Sequence, residues 1–250
     1  MLNALTINVE DYFHVSAFES VVDPEDWPRY ESRIEGSTRR LLAVLSEHNV
    51  RVAFFVLGWV AEHHPGLVRE IQGAGHEIAC HGYAHRLVYR HSRELFRQDV
   101  RRARGKLEKI TGREVVGYRA PSYSITEGVR WALQILREEG FRYDSSIFPI
   151  NHDRYGIPQA HRFPYRIELL EGDGIVELPP STVRLLGQNI PLAGGGYLRL
   201  FPFRFLRWAI RGINRAGQPA ILYLHPWELD PGQPRLKAGL ISNFRQYVNL

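Results

Sequence analysis

Short apolar, β-branched runs alternate along the chain with longer stretches whose apolar residues recur every three or four positions. Leu5 to Val9, Val52 to Leu57, His76 to Cys80, Glu114 to Tyr118, Phe141 to Tyr143, Ile175 to Leu178 and Ala220 to Leu224 read as strands. The intervening periodicity predicts helices near Ser37 to Glu47 (capped by Ser37 or Thr38), about Trp59 to Ala74, Phe96 to Ile110, Val129 to Leu136, Phe203 to Ala216 and Leu236 to Leu250. From Ser145 to about Pro164 prolines replace any clear period, which predicts a functional or capping loop. Gly194-Gly195-Gly196 reads as a flexible turn. Strand–helix repetition implies a parallel sheet, closed into a barrel or open, and residues 1–250 read as a single α/β domain.

Polar residues recur where these strands end. Glu10 and Asp11 follow the first strand, His81 and His85 the third, then Arg119, Asp144 and His225 close later ones. Carboxyl ends of parallel strands converge on one rim, so these groups look like a metal-dependent hydrolytic site. His81 and His85, four apart, can face one point, and neutral imidazole is a preferred zinc ligand. With one carboxylate they leave coordination positions open, as a catalytic metal requires. Taken alone, the same histidines would also suit a solvated loop cap. Glu10 and Asp11 must point apart, because side chains alternate along a strand. One can hold a metal while the other addresses a water.

Net charge is +5, and much of the basic excess sits in Arg39-Arg40 and in Arg97 to Lys109. No nucleic-acid motif accompanies it, so it reads as a solvated helix face rather than a polynucleotide site. Cys80 is the only cysteine, which excludes an internal disulfide and a cysteine-rich metal site. No apolar stretch is long enough to span a bilayer and no signal peptide is visible, so the expectation is a cytoplasmic protein, with association to a membrane-bound polysaccharide assembly system a further expectation. Oligomeric state is left open.

Four stretches in order, Ile7-Asn8-Val9-Glu10-Asp11-Tyr12-Phe13, Gly75 to His85, Arg119-Ala120-Pro121-Ser122 and Leu222 to Trp227, resemble the polysaccharide deacetylase family (NodB homology, carbohydrate esterase family four) over nearly the whole chain. Val-Glu-Asp-Tyr-Phe, Tyr-Asp-Ser-Ser and His-Pro-Trp-Glu look like the subgroup found with exosortase and exopolysaccharide loci. The resemblance implies a distorted (β/α) barrel of about seven parallel strands and a divalent metal, usually Zn2+, on Asp11, His81 and His85. It implies Glu10 as general base where the family more often has Asp. Arg119 would hold that base, His225 would be the general acid, and Asp144 would orient His225. Gly82 stands where the family usually has Ser or Thr, so the rigidity of that loop must come from elsewhere.

The implied reaction removes N-acetyl groups from N-acetylhexosamine units of a bacterial exopolysaccharide or its precursor. The oxyanion would lie between the metal and a backbone N–H near Ser122. Ser122, Tyr123, Tyr12 and Trp227 are the candidate substrate contacts, and Tyr197 is a further aromatic near the motifs that could stack on a sugar ring. An allantoinase-like cyclic amide hydrolase shares the fold but tends to lose the second histidine, and a decayed carbohydrate-binding protein would not keep all five of Asp11, His81, His85, Arg119 and His225.

Overall fold

The computed structural model describes residues 2–250. Ten strands form: β1 (Ala4–Val9), β2 (Ala53–Val56), β3 (Glu77–Cys80), β4 (Gly117–Tyr118), β5 (Tyr143–Asp144), β6 (Tyr165–Glu168), β7 (Gly174–Glu177), β8 (Thr182–Leu185), β9 (Gln188–Pro191) and β10 (Ile221–Leu224). Eight of them make one curled sheet in the order β10-β1-β2-β3-β4-β5-β7-β6. All neighbours from β10 to β7 are parallel; β6 lies antiparallel on the β7 edge. The half-barrel therefore has seven parallel strands. β8 and β9 pair apart as a hairpin.

Helices α1 (Ile34–Glu47), α2 (Gly58–His63), α3 (Pro65–Gly73), α4 (Arg93–Thr111) and α5 (Trp131–Glu138) cross between the first five strands, and α6 (Gly195–Leu200), α7 (Phe203–Arg215) and α8 (Leu240–Tyr247) follow. Ile7, Val9, Phe54, Val56, Ile78, Cys80 and Tyr118 turn outward into one core with Leu41, Val68, Phe96, Val100, Leu107 and Leu133 from the helices. Period two then puts Thr6, Asn8, Phe55 and Ala79 on the inner face. The packing gives the apolar runs their reason: one face of each strand is committed to the helix layer.

The single helix expected over residues 59–74 is two, because the residue before a proline is disfavoured in the α region. His64 (φ −128°, ψ 53°) breaks the chain ahead of Pro65. The triple glycine is not a free turn: Gly195 and Gly196 open α6. Residues 145–164 carry no regular element, as expected, but Ser145, Ser146, Phe148 and Ile150 within them are buried.

Candidate functional site

Thr6, Asn8 and Glu10 lie on the inner side of β1 and just beyond it, whereas Asp11 follows Ile7 and Val9 outward. Glu10, not Asp11, meets the histidines. Its Oε1 is 2.8 Å from His81 Nε2, and its Oε2 is 3.2 Å from His85 Nε2. One ligand atom from each of Glu10, His81 and His85 falls within 4.8 Å of the others, and all three residues are buried.

Asp11 has a different task. Its Oδ2 accepts Ser32 Oγ–H (2.8 Å) and the amides of Arg33 (2.8 Å) and Ile34 (3.1 Å), while Oδ1 accepts the Tyr12 amide. These amides open α1, whose N-cap Arg33 supplies no side-chain acceptor of its own. Asp11 caps that helix from a distance. The metal role expected of it is corrected: both of its oxygens are already occupied by backbone and hydroxyl donors.

Whether a cation fits can be read from the donors. His81 Nδ1 lies 2.7 Å from the Arg119 carbonyl, which can only accept, so Nδ1 carries the proton. Burial lowers the His81 pKa despite its carboxylate neighbour, which keeps the ring neutral with an Nε2 lone pair facing Glu10. Burial pushes Glu10 upward, but the charges of His85 and His225 hold its carboxyl well below the usual range. A lone pair and an ionised carboxylate oxygen thus approach to hydrogen-bond distance with no proton assigned between them. A shared cation satisfies that geometry, and the Arg119 carbonyl fixes the tautomer, as is usual behind a metal-bound histidine.

The second histidine sits on a pinned loop. His85 takes φ 52° and Gly82 φ 72°. The Gly58 and Trp59 amides donate to the Gly82 and Tyr83 carbonyls (2.8 and 3.0 Å). Asp99 of α4 accepts the Tyr83 amide at 2.9 Å and also that of Ala84. A Cβ on Gly82 would lie 3.1 Å from Asp99 Oδ2, so the glycine gives room to the carboxylate that replaces a loop hydroxyl.

His225 closes the site from β10. Its Nε2 is 3.6 Å from Glu10 Oε1 and its ring stacks on Trp227 at 4.9 Å. Its Nδ1 is held by Glu228 Oε1 at 2.7 Å, and the same oxygen accepts the His225 amide. Arg199 Nε donates to the other Glu228 oxygen at 3.1 Å. Burial alone would lower the His225 pKa, yet the Glu10 charge and the Glu228 hydrogen bond outweigh it and raise it. A Cβ on Gly195 would fall 1.3 Å from Glu228 Oε2, so only glycine admits this carboxylate.

Two further expectations are corrected. Asp144 does not hold His225; it accepts Ser146 Oγ–H and pairs with Glu177, its register partner across β5 and β7. Burial raises both carboxyls, and together they are best described as one proton shared by two acids. Arg119 does not hold Glu10. Fully buried, it donates from Nη1 to Thr6 Oγ1 (2.8 Å) and Asn8 Oδ1 (2.9 Å) and from Nε and Nη2 to Ser145, with its guanidinium over Phe55 at 4.1 Å. It braces the strand that carries Glu10.

A cleft of about 210 Å³ opens over these groups, lined among others by Glu10, His85, Ser122, Tyr123, His225 and Trp227. Ser122 and Tyr123 are both in the left-handed region (φ 49° and 54°), which keeps the loop after Pro121 in a conformation that costs non-glycine residues energy. Tyr12 is corrected to a core residue: it packs with Phe13, Phe18 and Trp27 and is not in the cleft wall. His152 and Tyr155, stacked at 3.8 Å in that wall, had no sequence signal, since the segment carrying them lacks periodicity.

Residues 25–143 match the family described as polysaccharide deacetylase, and residues 145–250 match a domain of unknown function, DUF3473. A peptidoglycan-N-acetylglucosamine deacetylase of Bacillus cereus is 31% identical over 98 residues, 39% of this chain and 36% of that protein. The chain spans about a third of the length of several such relatives. A chitooligosaccharide deacetylase of Azorhizobium caulinodans is 29% identical over 192 residues, 76% of this chain and 80% of that one. Among solved structures, a Mycobacterium smegmatis protein provisionally named a polysaccharide deacetylase superimposes with TM-score 0.62 at 25% identity, over 98% of this chain and 81% of that one. Two others share the fold alone: a family 4 carbohydrate esterase from Streptomyces lividans (TM-score 0.52, 15% identity, 99% of this chain and 83% of that one) and Puue allantoinase (0.61, 16%, 98% and 82%).

Proposed function

We propose that this chain, whose residues 25–143 match the polysaccharide deacetylase model and whose residues 145–250 match DUF3473, is a deacetylase of that family and hydrolyses N-acetyl groups on hexosamine units of a bacterial exopolysaccharide or its precursor, releasing acetate. The observation that carries this reading is the buried Glu10–His81–His85 group lying beside the His225–Glu228 pair at the floor of one cleft.

Glu10, His81 and His85 would hold a divalent cation, which for a two-imidazole, one-carboxylate set we take to be zinc. When bound, such a cation supplies Lewis acidity and an acidified water. The remaining chemistry belongs to the chain. His225 Nε2 faces the cleft while Nδ1 is anchored, so its imidazolium can give a proton to the departing amine nitrogen. Glu228 holds the tautomer and supports the positive charge, and Arg199 pairs with its other oxygen and fixes its position. The Ser122–Tyr123 turn and Trp227 form walls against which an acetamido sugar can seat. Glu10 Oε1 lies 3.6 Å from His225 Nε2, the nitrogen that Glu228 leaves free, so the water's proton has a short route between them.

Metal stoichiometry and acetate release from chitooligosaccharides, measured together on Glu10→Gln, test the assignment. Loss of both is expected. Metal retained at wild-type stoichiometry with acetate release abolished would remove Glu10 from the ligand set and leave it as the base. Hydrolysis of a cyclic imide with no acetate release from any N-acetylated sugar would overturn the substrate class.

A further inference from the structure

From Leu178 to Trp227 the chain contains six arginines and no lysine, aspartate or glutamate. Four of the six, Arg204, Arg207, Arg211 and Arg215, lie on α7, and all four are exposed. At 100° per residue they fall within one narrow band of the helix. Its opposite side packs Leu206, Ala209 and Ile213 against Leu192 and Ala220. No ion pair or hydrogen bond joins these four side chains to any described residue, whereas Arg97, Arg101 and Arg104 of α4 are each matched by a glutamate. The unanswered positive face is thus on α7.

Two aromatic rings stand beside the guanidinium band: Phe203 is 74% exposed and Trp208 53% exposed. The face is a convex helix surface about 20 Å long, not a groove. A polyanion such as nucleic acid would neutralise the arginines but leave both rings in water. An anionic bilayer answers both features, with phosphates for the arginines and an interfacial layer for the rings. Because the apolar side of α7 is committed to the core, contact through this helix would be at the surface of a bilayer.

We infer that the outer face of α7 docks the protein on an anionic phospholipid surface. The site lies close by in the chain: α6, just before α7, carries Arg199, which holds Glu228 behind His225.

Co-sedimentation of the full chain with phosphatidylcholine vesicles, with and without phosphatidylglycerol, tests this independently of enzymatic activity. Binding is expected only with phosphatidylglycerol and is expected to weaken as salt rises. Arg207→Gln/Arg211→Gln is expected to bind about thirtyfold less, at roughly fivefold per arginine. Phe203→Ser/Trp208→Ser should also lose binding, and Arg207→Lys/Arg211→Lys should keep most of it, which separates lost charge from lost fold. Equal binding to neutral vesicles, none to either, or undiminished binding by the glutamine variant would overturn the inference. So would duplex DNA binding that is as tight and indifferent to the aromatic substitutions, since the occupant would then be a polyanion.

Discussion

Along β1 the side chains of Thr6 and Asn8 bond Arg119 on the inner face, while Ile7 and Val9 enter the helix-side core. Continuing that alternation by one step each way sends Glu10 to the histidines and Asp11 to the amides of α1. Asp11→Ala should therefore keep full metal stoichiometry while lowering stability by about 1–2 kcal/mol, the usual cost of removing a helix N-cap, read from urea denaturation. A loss of metal in that variant would return Asp11 to the ligand set. Glu228→Gln is expected to lower kcat about a hundredfold with metal content unchanged, the scale of lost general-acid catalysis. Because Glu228 raises the His225 pKa, its removal should move the alkaline limb of the pH–rate profile to lower pH. The alternation was legible in the sequence, since Leu5, Ile7 and Val9 are apolar and Thr6 and Asn8 polar; a resemblance that favoured Asp11 ran against it. Glu228 was within reach too, three residues after His225 and separated only by Pro226 and Trp227.

The loop from His81 to His85 is held by contacts that arrive from other elements, α2 through the Gly58 and Trp59 amides and α4 through Asp99. Asp99→Ala should free the Tyr83 and Ala84 amides and weaken metal affinity about tenfold to a hundredfold, the range seen when support behind a ligand is removed. Competition with a chelating dye measures it; an unchanged affinity would assign Asp99 to loop packing only. Nothing in the sequence near His81 names Asp99, because the pairing crosses from one strand–helix unit to the next. The same limit hid α6. Three glycines carry no side-chain pattern, and only the tertiary approach of Glu228 shows why Gly195 must be one of them. The break between α2 and α3, by contrast, was written in the dipeptide His64-Pro65.

For the molecule as a whole, acid should be destabilising well above the carboxylate range. Burial lowers the pKa of His14 and His76, and burial with the nearby Arg86 charge pushes His91 down to about 4. Unfolding frees these imidazoles to bind protons that the native state refuses. Stability is then complete above about pH 6.5 and falls as pH drops toward 4. Urea midpoints of chelator-treated protein at about pH 7 and about pH 5 should show the loss, with a smaller gap in His91→Phe; an equal gap would exclude His91. The α/β plan and its parallel strands could be read from the sequence because each buried strand carries a compact apolar run. β6 and the β8–β9 hairpin could not: Tyr165–Glu168 buries only Ile167, and Gln188–Pro191 buries no residue fully. The order of the sheet has one more consequence. The strands before residue 145 run from β1 to β5, and both neighbours that flank them, β10 and β7, come from the later segment. A chain ended at Asp144 would leave two raw edges, each a template for pairing with another molecule. The DUF3473 segment is thus a clasp on both edges of the sheet as well as the segment that carries His225, so the two halves of the chain close one another.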